Sequence, residues 1–130
     1  MKSSLARIAE LRATLQRQAR VALAAAEHDL AKARETAEQI AQQSVTDSLE
    51  GPVSASALQL SESMGAAARA AAAVAQRDRD AKAAAAVSRT RETRQIEVLV
   101  ERVETRERKE QNVREQRESD DRAQHRRVKP

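Results

Sequence analysis

The sequence predicts an all-α fold: a long two-helix antiparallel coiled-coil hairpin with an overhanging, charged C-terminal helix. Three observations lead there. Phe, Trp and Tyr are absent, so the side chains that usually bury the largest areas are missing. Alanine dominates an apolar fraction of 40%, and 34% of residues are charged, the composition of long helices and coiled coils. Gly51-Pro52 holds one of only two glycines and one of only two prolines, so the chain has a single credible helix break. No stretch alternates apolar and polar residues with β-branched enrichment, which leaves no strand signal.

The first helix is expected over about 3–48, with Ser3 or Ser4 as its cap. Its apolar residues recur mostly at steps of three and four: Leu5, Ile8, Leu15, Ala19, Leu23, Ala26, Leu30, Ala33, Ala37 and Ile40. That is the pattern of a coiled-coil seam. The two successive steps of four through Leu15, Ala19 and Leu23 are a stutter, which locally unwinds the supercoil. Arg12 falls on the expected seam, with Leu11 beside it as a substitute. Ser44, Thr46, Asp47 and Ser48 weaken the helix ahead of a turn at 49–54.

The second helix is expected over about 55–127. Ser54 or Ser56 can cap it, and Ser56 with Gln59 matches a capping box. Its seam reads Val53, Ala57, Leu60, Met64, Ala67, Ala71 and Val74, then Asp78, Ala81, Ala85 and Ser88. The phase is expected to lapse near residues 89–94 and restart as Ile96, Leu99 and Val103. From Glu104 to Pro130 only Val113, Ala123 and Val128 are apolar. Pairs such as Glu104–Arg108, Glu110–Arg114 and Glu118–Arg122 can support that tail by about 0.2–0.5 kcal/mol each. A single helix of this kind is marginal alone.

A hairpin closing at Gly51-Pro52 sets residues 66–75 against about 28–37, with their neighbours against the alanine-rich 19–26. Small residues on both sides allow close approach of two backbones. Helix rise gives arms of roughly 70 Å and 110 Å, so about residues 103–130 project past the N-terminus. The chain is expected to form one elongated coiled-coil domain, 1–130.

Charge bounds the partners. Residues 1–50 carry seven basic and seven acidic groups, so the net charge of +4 arises after the break. Interspersed signs favour a solvated, salt-bridged helix over nucleic-acid binding. With no cysteine there is no disulfide and no thiolate metal site, which fits a reducing compartment. Residues 1–20 lack a signal-peptide core, and no run approaches 18 apolar residues. The expected location is cytoplasmic.

No enzyme constellation is present. His28 and His125 stand far apart; His28 is read as a solvated or seam-edge residue and His125 as a complement to the negative helix end, rather than as metal ligands. Gly51 and Gly65 do not form a phosphate loop. The many carboxylates have no cleft in a two-helix hairpin to shift their pKa values. No catalytic residue, metal, cofactor or small-molecule substrate is expected. Asp120-Asp121 reads as a charged helix face or contact patch before a metal pair. The run Arg126-Arg127-Val128-Lys129 lacks interleaved aromatics for nucleic-acid stacking. Leu58, Leu60 and Met64 are read first as seam, with an exposed apolar patch for a partner as the alternative.

Three pieces of the chain resemble one family. Leu5-Ala-Arg-Ile-Ala-Glu-Leu-Arg looks like a leucine- and arginine-patterned opening. Gly51 followed by Ser54-Ala55-Ser56-Ala57-Leu58-Gln59 looks like a turn and second-helix start. Arg114-Glu115-Gln116-Arg117-Glu118-Ser119-Asp120-Asp121-Arg122-Ala123 looks like an Arg/Glu/Gln/Lys-rich helix leading to an acidic pair and alanine. Together they resemble the FliJ family of flagellar export proteins and its YscO relatives of injectisome secretion. That resemblance implies an antiparallel coiled coil similar to the γ stalk of rotary ATP synthases. It also implies a non-enzymatic role, with a hexameric export ATPase, an export gate protein and export chaperones as partners, at the membrane only through them. The stalk end would hold both termini, so Arg114, Arg117, Asp120, Asp121, Arg126 and Arg127 are the expected ATPase contacts. The family's gate-binding face lies near the turn and uses aromatic and apolar side chains. No aromatic is available here, and Ile40, Leu60 and Met64 are the candidates. The family's apolar residue after the acidic pair is replaced by Arg122. Two other readings stand beside this one: a structural or adaptor coiled coil that homodimerises along an apolar stripe, and a nucleic-acid-binding helix.

Overall fold

A computed structural model describes residues 3–128, with nothing described of the Val128 side chain. Two long helices pack against each other, α1 (Ser4–Glu50) and α2 (Ala55–Val128), and no strand occurs among the described residues. The two caps are decided by the hydroxyls. Ser3 Oγ accepts from the Ala6 N–H at 3.1 Å and Ser54 Oγ from the Ala57 N–H at 3.2 Å, so Ser3 and Ser54 are the N-caps rather than Ser4 or Ser56. The polar end of α1 stays helical to Glu50. Ser48 Oγ donates to the Ser44 carbonyl at 3.0 Å and Gln43 to Asp47 at 2.9 Å, bonds that both fit the helical turn.

Gly51 ends α1 with φ at +150°, a region nearly closed to residues with a Cβ. Pro52, Val53 and Ser54 follow without helical structure. The break is therefore a C-terminal glycine followed by a proline, as the residue types require.

The chain divides into two compact units, residues 14–90 and residues 1–13 with 91–130. Within 14–90 the cross-helix bonds run in antiparallel order. Gln16 donates to Thr90 Oγ1 at 3.1 Å, Arg79 meets Glu27 at 3.5 Å, Arg34 bonds to Gln76, and Ser61 Oγ donates to Ser44 Oγ at 2.8 Å. The pairing lies a few residues from the expected one, because the non-helical link runs on to Ser54 and moves the centre of the fold beyond Gly51-Pro52.

The α1 seam of this unit is the expected one: Leu15, Ala19, Leu23, Ala33, Ala37 and Ile40 are half-buried, and Ala26 and Leu30 are buried. The α2 seam is not. Ala57, Leu60, Met64, Ala67, Ala71, Val74, Asp78, Ala81, Ala85 and Ser88 are all exposed. The covered stripe lies one residue later, through Ser61, Gly65, Ala68, Ala72, Ala75, Arg79, Ala83 and Ala86. The physical reason is alanine. Over 66–75 it occupies every side of the helix except Arg69 and Val74, so the pattern carries no phase there. Small residues also face α1, with Gly65, Ala68 and Ala72 on α2 and Ala26 among the buried α1 residues.

In the other unit Leu5, Ala9 and Arg12 are half-buried, while Ile8 and Leu11 are exposed. Arg12 replaces apolar packing with polar contacts. Its guanidinium pairs with Glu92 at 2.5 Å, and Thr93 Oγ1 donates to its carbonyl at 3.3 Å. Thr93 is the buried polar residue of the core. The α2 stripe here is Thr93, Ile96 and Val100 in place of the expected Ile96, Leu99 and Val103.

Candidate partner-binding surfaces

Two regions hold the residues singled out above, and each is built differently. The first is the end of α2. Every residue from Glu101 to Arg127 is exposed, including Arg114, Arg117, Asp120, Asp121, Arg126 and Arg127. A helix advances about 100° per residue, which puts Arg114, Arg117, Asp120, Asp121 and Arg127 on one half of the circumference and Arg126 on the other. The helix thus gathers five of the six and separates one. Their charges are left for solvent or a partner. The expected Glu104–Arg108, Glu110–Arg114 and Glu118–Arg122 ion pairs are not formed among the described residues; the cross-turn bonds are Gln111 to Glu115 at 3.3 Å and Gln116 to Asp120 at 3.2 Å. Exposed pairs gain too little to hold two long side chains in one geometry. Lys129, the last cation of the basic run, lies outside the described residues, as does the Val128 side chain. His125, Arg126 and Arg127 occupy the last turn, where positive charge complements the helix end.

The second region lies near the break. Ile40, Leu60 and Met64 line one open groove of about 270 Å³, together with Gln43, Ser44, Asp47, Ala57 and Ser61. Ile40 reaches it from the covered seam of α1, while Leu60 and Met64 stand 62% and 48% exposed on α2. The Ser61–Ser44 hydroxyl bond ties the two helices together within the same groove. The three residues chosen from sequence are brought together by the packing. Leu49, 82% exposed, Val45 and Leu58 add apolar surface on the neighbouring turns.

No group of three or more His, Cys, Asp or Glu side chains gathers into a metal-binding cluster among the described residues, and His28 and His125 are both exposed. No buried side-chain nitrogen or oxygen among them lacks a hydrogen-bond partner, so no orphaned polar atom marks a ligand cavity. What sequence reasoning missed is the polar layer of Arg12, Glu92 and Thr93. Arg12 on an apolar seam was the available signal. Comparison with protein-family models, with curated proteins and with solved structures finds no match to the chain.

Proposed function

We propose that this chain is a non-enzymatic component of a flagellar or injectisome-type protein export apparatus, a FliJ-like hairpin coupling an export ATPase to the export gate and its chaperones. In this reading the end of α2 overhangs α1 and enters the ATPase ring, and the groove near the break meets the gate. The observation that carries it is the full exposure of α2 from Glu101 to Arg127, the stretch containing the segment 114–123 on which the resemblance is strongest. A helix with almost no apolar stripe and unpaired charges is suited to being held by another protein through charge-assisted hydrogen bonds. Arg114, Arg117, Asp120, Asp121 and Arg127 would make those contacts on one side and Arg126 on the other. The grouping of Ile40, Leu60 and Met64 around one apolar groove supports the second contact. The chain would reside in the cytoplasm and reach the membrane through its partners.

A pull-down with the cognate export ATPase tests this. The full-length chain is expected to retain the ATPase, and a chain ending at Val103 is expected to lose it. Equal capture by both would remove the tail from the interface and take the reading with it.

A further inference from the structure

The face of α2 that the sequence marks as a seam is left uncovered. Ala57, Leu60, Met64, Ala67, Ala71 and Val74 follow one another at alternating steps of three and four, the spacing of a coiled-coil stripe. All six are exposed, Leu60 at 62%, Met64 at 48% and Val74 at 59%. The contact with α1 uses Ser61, Gly65, Ala68 and Ala72 instead, about 100° around the helix. One helix therefore presents two adjacent stripes, and α1 occupies one of them.

We propose that the second stripe binds a second copy of this chain, with the two α2 helices antiparallel about a two-fold axis. The argument is self-complementarity. An antiparallel register that sets Leu60 against Ala71 of the second copy also sets Met64 against Ala67 and Val74 against Ala57, so each large side chain meets an alanine. A two-fold interface uses one patch twice and needs that kind of match. The parallel alternative stacks Leu60 on Leu60, leaves alanine facing alanine, and continues the stripe into Asp78 opposite Asp78. Charge also admits this contact. In a chain with 24 basic and 20 acidic residues, the only charges between Ser54 and Gln76 are Glu62 and Arg69. Both sit on the side of α2 away from the stripe, so the stripe is free of charge and a second copy meets no like charge there. This occupant and the gate contact proposed above share Leu60 and Met64, so dimer and gate-bound forms exclude each other.

The test uses the purified full chain alone, so its failure leaves the export reading standing, and failure of the ATPase pull-down leaves this one. Sedimentation equilibrium is expected to show a reversible monomer–dimer system, with Met64→Glu weakening association about tenfold or more, at unchanged circular dichroism. The chain has no cysteine, which allows clean crosslinking. An oxidised mixture of Leu60→Cys and Ala71→Cys chains is expected to give a disulfide dimer, and neither variant alone, because like positions lie about 16 Å apart along the axis. A monomer at all concentrations, undiminished association in Met64→Glu, or self-crosslinking of Leu60→Cys would overturn the proposal.

Discussion

Gly51 and Gly65 are both glycines in a chain with only two, and the structure gives them opposite roles. Gly51 holds φ at +150° in open space, where an added Cβ meets nothing but the backbone geometry itself is disfavoured. Gly51→Ala is expected to lower stability by about 1–3 kcal/mol. Gly65 lies inside α2, where a Cβ would press only on the exposed guanidinium of Arg69 at 3.3 Å. That end can swing aside, so Gly65→Ala is expected to raise stability by about 0.5–1 kcal/mol through helix propensity. Urea unfolding of the two variants checks both signs. The turn glycine was legible in the sequence, because a glycine before a proline between two helical patterns has one obvious use. Arg12 was legible only as an anomaly. Its partners Glu92 and Thr93 lie some eighty positions away, and nothing local specifies which residues of a distant helix will meet it. With both charged side chains 36% exposed, the Arg12–Glu92 pair is a positioning contact that water and salt screen rather than a large source of stability.

Helices α1 and α2 differ in how well their pattern specifies a face. Large apolar residues in α1, Leu15, Leu23, Leu30 and Ile40, mark one stripe above the alanine background, and that stripe is the covered one. In α2 the large residues Leu60, Met64 and Val74 mark a stripe too, yet α1 packs one residue further on, over Ser61, Gly65, Ala68 and Ala72. The covered side is lined by small residues, Ala68 and Ala72 among them, whose contacts with α1 each gain a little dispersion energy. The phase is open to a direct check. Ala68, 9% exposed, and Ala66, exposed, are two positions apart in an alanine run. Ala68→Glu is expected to cost about 1–3 kcal/mol by burying a carboxylate against α1. Ala66→Glu is expected to stay within about 0.5 kcal/mol of the parent, again by urea unfolding. Equal effects at both positions would return the seam to the phase expected from sequence.

For the whole molecule, composition is the governing constraint. Without aromatics the core is small, Ala26, Leu30, Ala68 and Ala86 with the hydroxyl of Thr93, and each buried methyl or methylene contributes only about 0.8 kcal/mol. Stability must then come from many shallow contacts spread along the helices. The final stretch of α2 adds none of these, since no residue from Glu101 to Arg127 is covered. A chain ending at Val103 is expected to keep its unfolding free energy within about 0.5 kcal/mol of the full chain, while its helical circular-dichroism signal falls with the lost residues. A marked loss of stability would mean that the tail folds back onto the rest. No helix is long and apolar enough to cross a membrane among the described residues, so any membrane association of these helices must run through other contacts.

The sequence by itself determined the type of both elements, the single break and why glycine and proline make it, the α1 seam from Leu15 to Ile40, and the poverty of apolar residues at the end of α2. These follow from propensity, backbone chemistry and the spacing of large side chains, all of which are local. The choice of capping serine is a local hydrogen bond between neighbouring candidates, whereas only the tertiary structure decided which stripe of α2 meets α1 and that Ile40, Leu60 and Met64 line one groove. Those depend on which face of α2 meets α1, and an alanine-rich helix offers several nearly equivalent ones. The fit between two faces is a property of both surfaces together, and no one-helix pattern records it.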